Sequence, residues 1–348
     1  MPAFDLADLV AGILLLSLNI YVLFGGADFG GGVWDLLARG PRGPRQRDVI
    51  AHAIGPVWEA NHVWLILVVV LLFTCFSPAF ARLAIVLHVP LTLMLVGVVL
   101  RGSAFTFRSY GQMDDAAAAR WGRVFAMASL VTPLLLGVAV GTVAAGRVRA
   151  PEPAAGFVAG YVTPWLTPFA FATGILAVVL FAFLAAVYLT LETADTELRE
   201  DFRTRALGSG LAVFAAAALA LLLAHDSGGA PLMAFGLLRA RWALPLQLGI
   251  ALAAITALLA LWYRRYVLAR VAAAVQVSLI LWGWGLAQYP YLIPPDLTIE
   301  QTAAPAATIR LVLIALAAGA VILLPSLWYL FRIFKAAPGA NRASPAAR

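Results

Sequence analysis

Charge is scarce in this 348-residue chain: 12% of its residues are Asp, Glu, Lys or Arg, while 63% are hydrophobic. A soluble domain of that length needs far more polar surface, so the composition excludes a water-soluble globular fold and points to an all-α polytopic membrane protein. The single cysteine, Cys75, excludes an intrachain disulfide and a cysteine-based metal cluster, and it reads as a small buried hydrophobe. No basic n-region precedes the first apolar run and no small-residue cleavage site follows it, so the first helix is expected to stay as a membrane anchor. Nucleophile elbow, metalloprotease motif and phosphate loop are also missing, so no catalytic residue and no metal site are expected in this chain. The net charge of +7 does not imply nucleic acid, because the arginines lie in short loops between apolar segments rather than along one polar face.

What the chain does have is apolar runs of membrane-spanning length. They predict nine transmembrane helices, over 6–27, 51–74, 82–101, 122–145, 165–188, 206–224, 244–263, 268–289 and 309–333. Sorting the 24 Lys and Arg residues by alternate loops places eighteen on one side and six on the other. The bias puts the N-terminus outside and the C-terminus in the cytoplasm. An echo of Tyr21 to Asp28 in Tyr188 to Asp195, with Pro90 and Arg101 answered by Pro245 and Arg264, divides a transmembrane domain over 1–335 into two four-helix units plus one added helix. Residues 336–348, rich in Ala, Pro and Arg, read as a disordered cytoplasmic tail. The charged stretch 192–205 reads as a solvated helix extension, and 288–298 as a rigid aromatic segment on the outside.

Chemistry concentrates between Tyr21 and Ile66. Asp28 follows Gly25 and Gly26 and precedes Gly30, Gly31 and Gly32; Glu59 lies in Pro56-Val57-Trp58-Glu59-Ala60-Asn61-His62-Val63-Trp64. A charged side chain at a helix centre costs about 2.5–3.5 kcal/mol on insertion scales, so both acids are functional candidates. Two roles are open to them. A buried carboxyl can exchange protons with water chains, or it can be held in an ion pair with Arg101 or the basic turn. Gly26 and Gly30 have the small-xxx-small spacing of close helix packing. Pro56 should kink the second helix one turn before Glu59, and Glu59 and His62, three residues apart, share a helix face. Haem held by histidine or methionine is a further possibility for a membrane protein. Only His62 and His88 fall inside the predicted spans, at different depths, with Met94 and Met127 as other conceivable ligands. Paired acids in glycine-broken helices also occur in ion-coupled transporters.

Gly26-Ala27-Asp28-Phe29-Gly30, the run from Pro56 to Leu65, Arg101-Gly102-Ser103-Ala104-Phe105-Thr106-Phe107-Arg108, and Gln288-Tyr289-Pro290-Tyr291-Leu292-Ile293-Pro294-Pro295 resemble subunit II of the cytochrome bd-type quinol oxidases. Among the branches of that family the chain is most similar to the shorter, cyanide-insensitive type. The resemblance implies a haem-free subunit in the bacterial cytoplasmic (inner) membrane. Its partner would be a larger subunit I carrying two b-type haems, haem d and the site of quinol oxidation, with a small third subunit in some complexes. It also implies a quinol:oxygen oxidoreductase that makes water and builds a membrane potential, quinone and lipid as companions, and a cytoplasmic proton route along subunit II. Asp28 and Glu59 match the family's acids on that route, Glu59 at a position often held by Asp. Trp58, Asn61, His62 and Trp64 would support the route on the second helix, with Arg101 and Arg108 anchoring the end of the third. His62 stands where some members have Gln, and Gly25 where some carry a second acid.

Overall fold

A computed structural model describes residues 5–110, 115–150, 156–225 and 229–335. The expected tail, 336–348, lies outside the described residues. In chain order the elements are α1 (Leu6–Leu37), α2 (Gly43–Cys75), α3 (Ser77–Val86), α4 (His88–Tyr110), α5 (Asp115–Ala144), α6 (Phe157–Tyr161), α7 (Pro168–Glu192), α8 (Thr196–His225), α9 (Pro231–Arg239), α10 (Ala243–Trp262) and α11 (Tyr266–Gln288). A two-stranded antiparallel hairpin of β1 (Tyr291–Ile293) and β2 (Leu297–Thr298) leads to α12 (Ile299–Thr302) and α13 (Ala306–Lys335).

Eight of these helices are long and apolar enough to cross a membrane. The halves of α2, Gly43–Gly55 and Ala60–Cys75, meet at a bend of 49° and pass the same test only together, which brings the spans to nine where the pair is one span. The bend falls in the stretch that contains Pro56, where the ring removes a backbone donor and opens the helical ladder.

Several boundaries move, the second, fourth and sixth spans starting 7–10 residues earlier than expected, and two further shifts have a visible cause. The first span continues ten residues beyond 27, to Leu37, because its glycines are packed inside a helix instead of ending one. The third begins at His88 rather than 82. Ser77–Val86 is a separate short helix, and the chain breaks at Leu87, so that Pro90 falls in the first turn of α4. Amide hydrogens of a first turn have no partner within the helix, so proline is tolerated there.

The bundle is organised around α1 and α7. α1 starts with a capping box: Asp5 accepts from the amides of Ala7 and Asp8, and Asp8 accepts from the amide of Asp5. α7 is buried almost without interruption from Leu180 to Val187, and its small and aromatic side chains form the centre of the largest apolar core with Val33, Ile54, Phe202 and Val277. Trp34 Nε1 donates to the Ala182 carbonyl at 2.7 Å, pinning the two helices.

Contact between them is close because Gly26 faces Leu184 and Gly30 faces the Phe181 carbonyl; a Cβ at Gly30 would overlap that carbonyl. In lipid, helix association relies on such packing, since the tails compete equally for apolar side chains. α5 approaches α7 in the same way, with Gly137 against Gly174 and Gly141 against Ala170 and Thr173. On one end of the bundle Arg42 and Arg45, before and within α2, meet Asp201 and Asp195 at the start of α8, and Arg264 in the turn after α10 reaches Glu200. On the other end Arg82 lies 3.6 Å from Asp296 of the hairpin.

Gly30→Leu is expected to destabilise the purified protein by about 1–3 kcal/mol or more, because the new side chain must displace backbone. Gly12→Leu should stay within about 0.5 kcal/mol, a Cβ at Gly12 having open space around it. Thermal unfolding of the two variants side by side checks this.

Candidate functional site: a buried ion pair and a polar strip

Asp28 and Arg101 are 0% and 1% exposed, and they are paired. Arg101 Nη2 lies 2.5 Å from Asp28 Oδ1 and also donates to the Asp28 backbone carbonyl at 2.8 Å. Arg101 Nε donates to Ser129 Oγ of α5 at 2.8 Å, and the guanidinium plane lies between the rings of Phe29 (4.8 Å) and Phe125 (4.9 Å). Three helices therefore converge on one guanidinium. Arginine suits this place because its planar, permanently charged head can hydrogen-bond at its edge while stacking aromatic rings on its faces. Arg101 lies nine residues inside the end of α4 and points into the bundle, where the sequence alone placed it as an anchor at the helix end. Ser129, Phe29 and Phe125 were not singled out from sequence.

The second oxygen of Asp28 faces α2. Asn61, fully buried, directs Nδ2 toward Asp28 Oδ2 at 3.4 Å, a long contact, while its own Oδ1 has no hydrogen-bond partner. The indole nitrogens of Trp58 and Trp64 are likewise buried without a partner. Trp58 packs on His62 (5.7 Å between centroids) and Phe105 (5.9 Å), with Gly102 opening space for its ring. Trp64 joins the aromatic core of Tyr21, Phe29 and Phe181. Glu59 belongs to α2 at its bend; its side chain and that of Arg108 lie outside the described residues. Asp28, Asn61 and Arg101 are thus brought together, Trp58 and His62 form a second pair, and Gly26 and Gly30 serve the α1–α7 contact.

His62 and His88 engage different neighbours. His62 Nδ1 lies 2.8 Å from the Trp58 carbonyl within its own helix, and His88 is edge-on to Tyr161 (5.3 Å) and Phe157 (6.2 Å) of α6. His52 and His225 are exposed, as is Met127. Among the described residues no group of three His, Cys, Asp or Glu side chains converges as a metal site does.

At the arginine-rich end the stretch 192–205 is docked rather than merely solvated: Leu198 and Phe202 are buried, and a cleft of about 610 Å³ lies between Arg42, Glu197, Arg199, Glu200 and Arg264. Asp195 caps α8 by accepting from the amides of Glu197 and Leu198. Desolvation works to raise the Asp195 carboxyl, but those amides and the Arg45 guanidinium outweigh it and hold the group below its ordinary value. Its folded value being the lower one, the contribution of Asp195 to stability is present at neutral pH and is lost as pH falls through that lowered value. The Asp201 hydrogen bond and charge raise the Arg42 guanidinium.

Arg101→Met, which strands the Asp28 carboxylate without its partner, is expected to cost about 3–5 kcal/mol of stability. Adding Asp28→Leu to it should return a large part of that loss, since two apolar groups replace a buried charge pair. Unfolding of the single and double variants measures the difference; a double variant no more stable than Arg101→Met contradicts the pairing.

The family model "Cytochrome bd terminal oxidase subunit II" matches residues 6–334. The chain is 25% identical over 319 residues to cytochrome bd-I ubiquinol oxidase subunit 2 of Escherichia coli K12, covering 82% of this chain and 80% of that one. It is 34% identical over 94 residues to cytochrome bd ubiquinol oxidase subunit 2 of Bacillus subtilis, an alignment that spans 27% of each protein. Its fold is similar to that in the bd oxidase structure from Geobacillus thermodenitrificans, with a TM-score of 0.80, 24% identity, and coverage of 95% of this chain and 99% of that one. The match runs through α1, the bent α2, the Arg101 segment of α4 and the hairpin after α11, so the chain belongs to the family of cytochrome bd terminal oxidase subunit II, a membrane-spanning subunit of a bacterial quinol oxidase complex.

Proposed function

We propose that this chain is the haem-free subunit of its oxidase, that it holds the haem-bearing subunit I in the membrane, and that it lines a route for cytoplasmic protons toward the oxygen-reducing centre. In that complex quinol is oxidised to quinone, and its electrons, with protons drawn from the cytoplasm, reduce oxygen to water. Haems b and d, which give such oxidases their name, are assigned to subunit I. The contacts of His62 with Trp58 and of His88 with Tyr161 and Phe157 support that assignment, since each ring is engaged by a separate neighbour. Quinone, lipid and a small third subunit are further companions under this reading.

One observation carries the proton route. α2 aligns Trp58, Asn61 and Trp64, each with a buried polar atom that no protein group satisfies, on the helix that also bears Glu59. Buried polar groups are satisfied almost without exception, by protein, water or a partner. A strip of them on the helix that carries Glu59, with Asn61 turned to Asp28, is what a hydrogen-bonded proton path requires. Within the strip the roles divide. Arg101 keeps Asp28 as one half of a fixed charge pair. Glu59 is the group left to take up and release the proton, while Asp28 sets the local field and offers Oδ2 to Asn61.

The orientation follows from the same end-to-end asymmetry. Loops bearing Arg42, Arg45 and Arg264 gather on one end, which supports the N-terminus outside and the C-terminus in the cytoplasm. Two four-helix units, α1, α2, α4, α5 and α7, α8, α10, α11, with α13 added, are supported by matching hairpin pairings in each half and by α1 packing on α7. The echo of Asp28 in Asp195 does not extend to its partner, because Asp195 meets Arg45 on the surface and Arg264 turns to Glu200.

In the assembled complex, Glu59→Gln is expected to slow oxygen reduction about 10²-fold or more, a typical worth of a positioned proton-transfer group, with an unchanged haem spectrum. Unaltered turnover in a fully assembled variant removes Glu59 from the route. His62→Gln and His88→Ala should each leave haem absorbance intact. Haem lost from a correctly assembled complex would assign those residues as ligands.

A further inference from the structure

At the arginine-rich end, one neutral side chain ties the two halves of the chain together. Gln46, in the first turn of α2 and 4% exposed, uses both ends of its amide. Nε2 donates to Asp201 Oδ2 at 2.7 Å, and Oε1 accepts from Arg205 Nη2 at 2.7 Å. Asp201 also receives Arg42 Nε and Nη2, each at 2.8 Å, in a forked pair. Arg205 lies over the rings of Trp34 (5.3 Å) and Phe202 (5.7 Å). The clasp therefore joins the end of α1, the start of α2 and the first three turns of α8.

The amide has one workable orientation. Reversed, it would set its NH₂ against a guanidinium and its oxygen against a carboxylate, so the flanking charges polarise the clasp and allow one register only. Arg47, one residue on, donates to the carbonyls of Ala38 and Asp35 at the end of α1. The start of α2 is thus fixed from both sides. Farther along the same half, Ile50 and Ile54 press on Gly31 of α1. This half, Gly43–Gly55, then meets the second half at the 49° bend that contains Glu59. A helix segment is stiff over three turns, so the angle at which its first turn is held determines where the residues at its far end point.

We propose that the Gln46–Asp201–Arg205 clasp is a positioning device for the second helix: by holding the first half of α2 against α8, it sets the angle of the bend at which Glu59 stands. The inference rests on the reading of Glu59 given above. Asp201, Gln46 and Arg205 are positioning residues, since they reach Glu59 only through the helix.

The test uses the complete oxidase complex, with haem content and subunit ratio checked first. Asp201→Asn and Gln46→Leu are each expected to lower oxygen-reduction turnover about tenfold, within the range known for small misplacements of a reacting group, and to raise the solvent deuterium isotope effect on turnover. Asp201→Glu, which keeps the charge, should recover most of the rate. In a Glu59→Gln background, Asp201→Asn should cause no further loss. If Asp201→Asn does not assemble, Gln46→Leu carries the same expectations, because it removes both amide bonds without leaving a charge unpaired on α2. Turnover and isotope effect at the wild-type level in an assembled clasp variant, or losses that multiply with Glu59→Gln, overturn the clasp's role while leaving the route in place. A Glu59→Gln complex with unchanged turnover overturns the route, and the clasp's role with it.

Discussion

Arg101 and Asp28 form a charge pair shut away from lipid and water alike, and the arrangement of the surrounding helices follows from the need to keep it satisfied. Desolvating two ions costs several kcal/mol each, a cost offset only when geometry is good and the remaining donors find acceptors. That demand is met by the Asp28 carbonyl, by Ser129 on α5 and by the rings of Phe29 and Phe125 on either face. α1, α4 and α5 are therefore locked in rotation as well as in position. A turn of any one of them by a single residue would pull a donor from its acceptor.

The same lock explains why α1 tolerates so much glycine. Five glycines between Gly25 and Gly32 weaken an isolated helix by about 1 kcal/mol each relative to alanine. In the bundle they let α7 and α5 approach to backbone contact: Gly26 and Gly30 receive Leu184 and the Phe181 carbonyl, and Gly32 receives Ser129, the residue that Arg101 also uses. Close packing and charge pairing are thus served by alternate positions of one helix. α7, which carries almost no reactive side chains, is the surface against which the chemistry of α1 is held.

α2 has a different character. Its halves are fixed separately, the first by polar contacts at the arginine-rich end and the second by apolar packing that includes Val68, Leu71 and Cys75. The bend between them is where Glu59 sits, beside a helix face whose buried polar atoms have no protein partners. Rigid supports on both sides of a bend hold its backbone in a defined place.

Much of this was legible in the sequence. Scarce charge and nine apolar runs specify a helical membrane protein, because lipid leaves backbone groups no partner outside a helix. Asp28, Glu59 and Arg101 stand out because a charge in such a run is costly. Where the reading fell short, the cause was contact between distant segments. The extension of α1 to Leu37 depends on α7 filling its glycine face, and the docking of 192–205 depends on Arg42 and Gln46. Ser129, Phe125, Gln46 and Arg205 carry no local signal, for a serine or glutamine in a helix acquires meaning only from what it touches. The sequence by itself determined the nature of the spans, the presence of buried acids and the family, since these rest on hydropathy and short motifs. Tertiary structure alone decided which arginine neutralises Asp28, which oxygen is left facing Asn61 and which residues hold α2 at its bend, because such pairings join helices tens to more than a hundred residues apart and exist only once those helices pack.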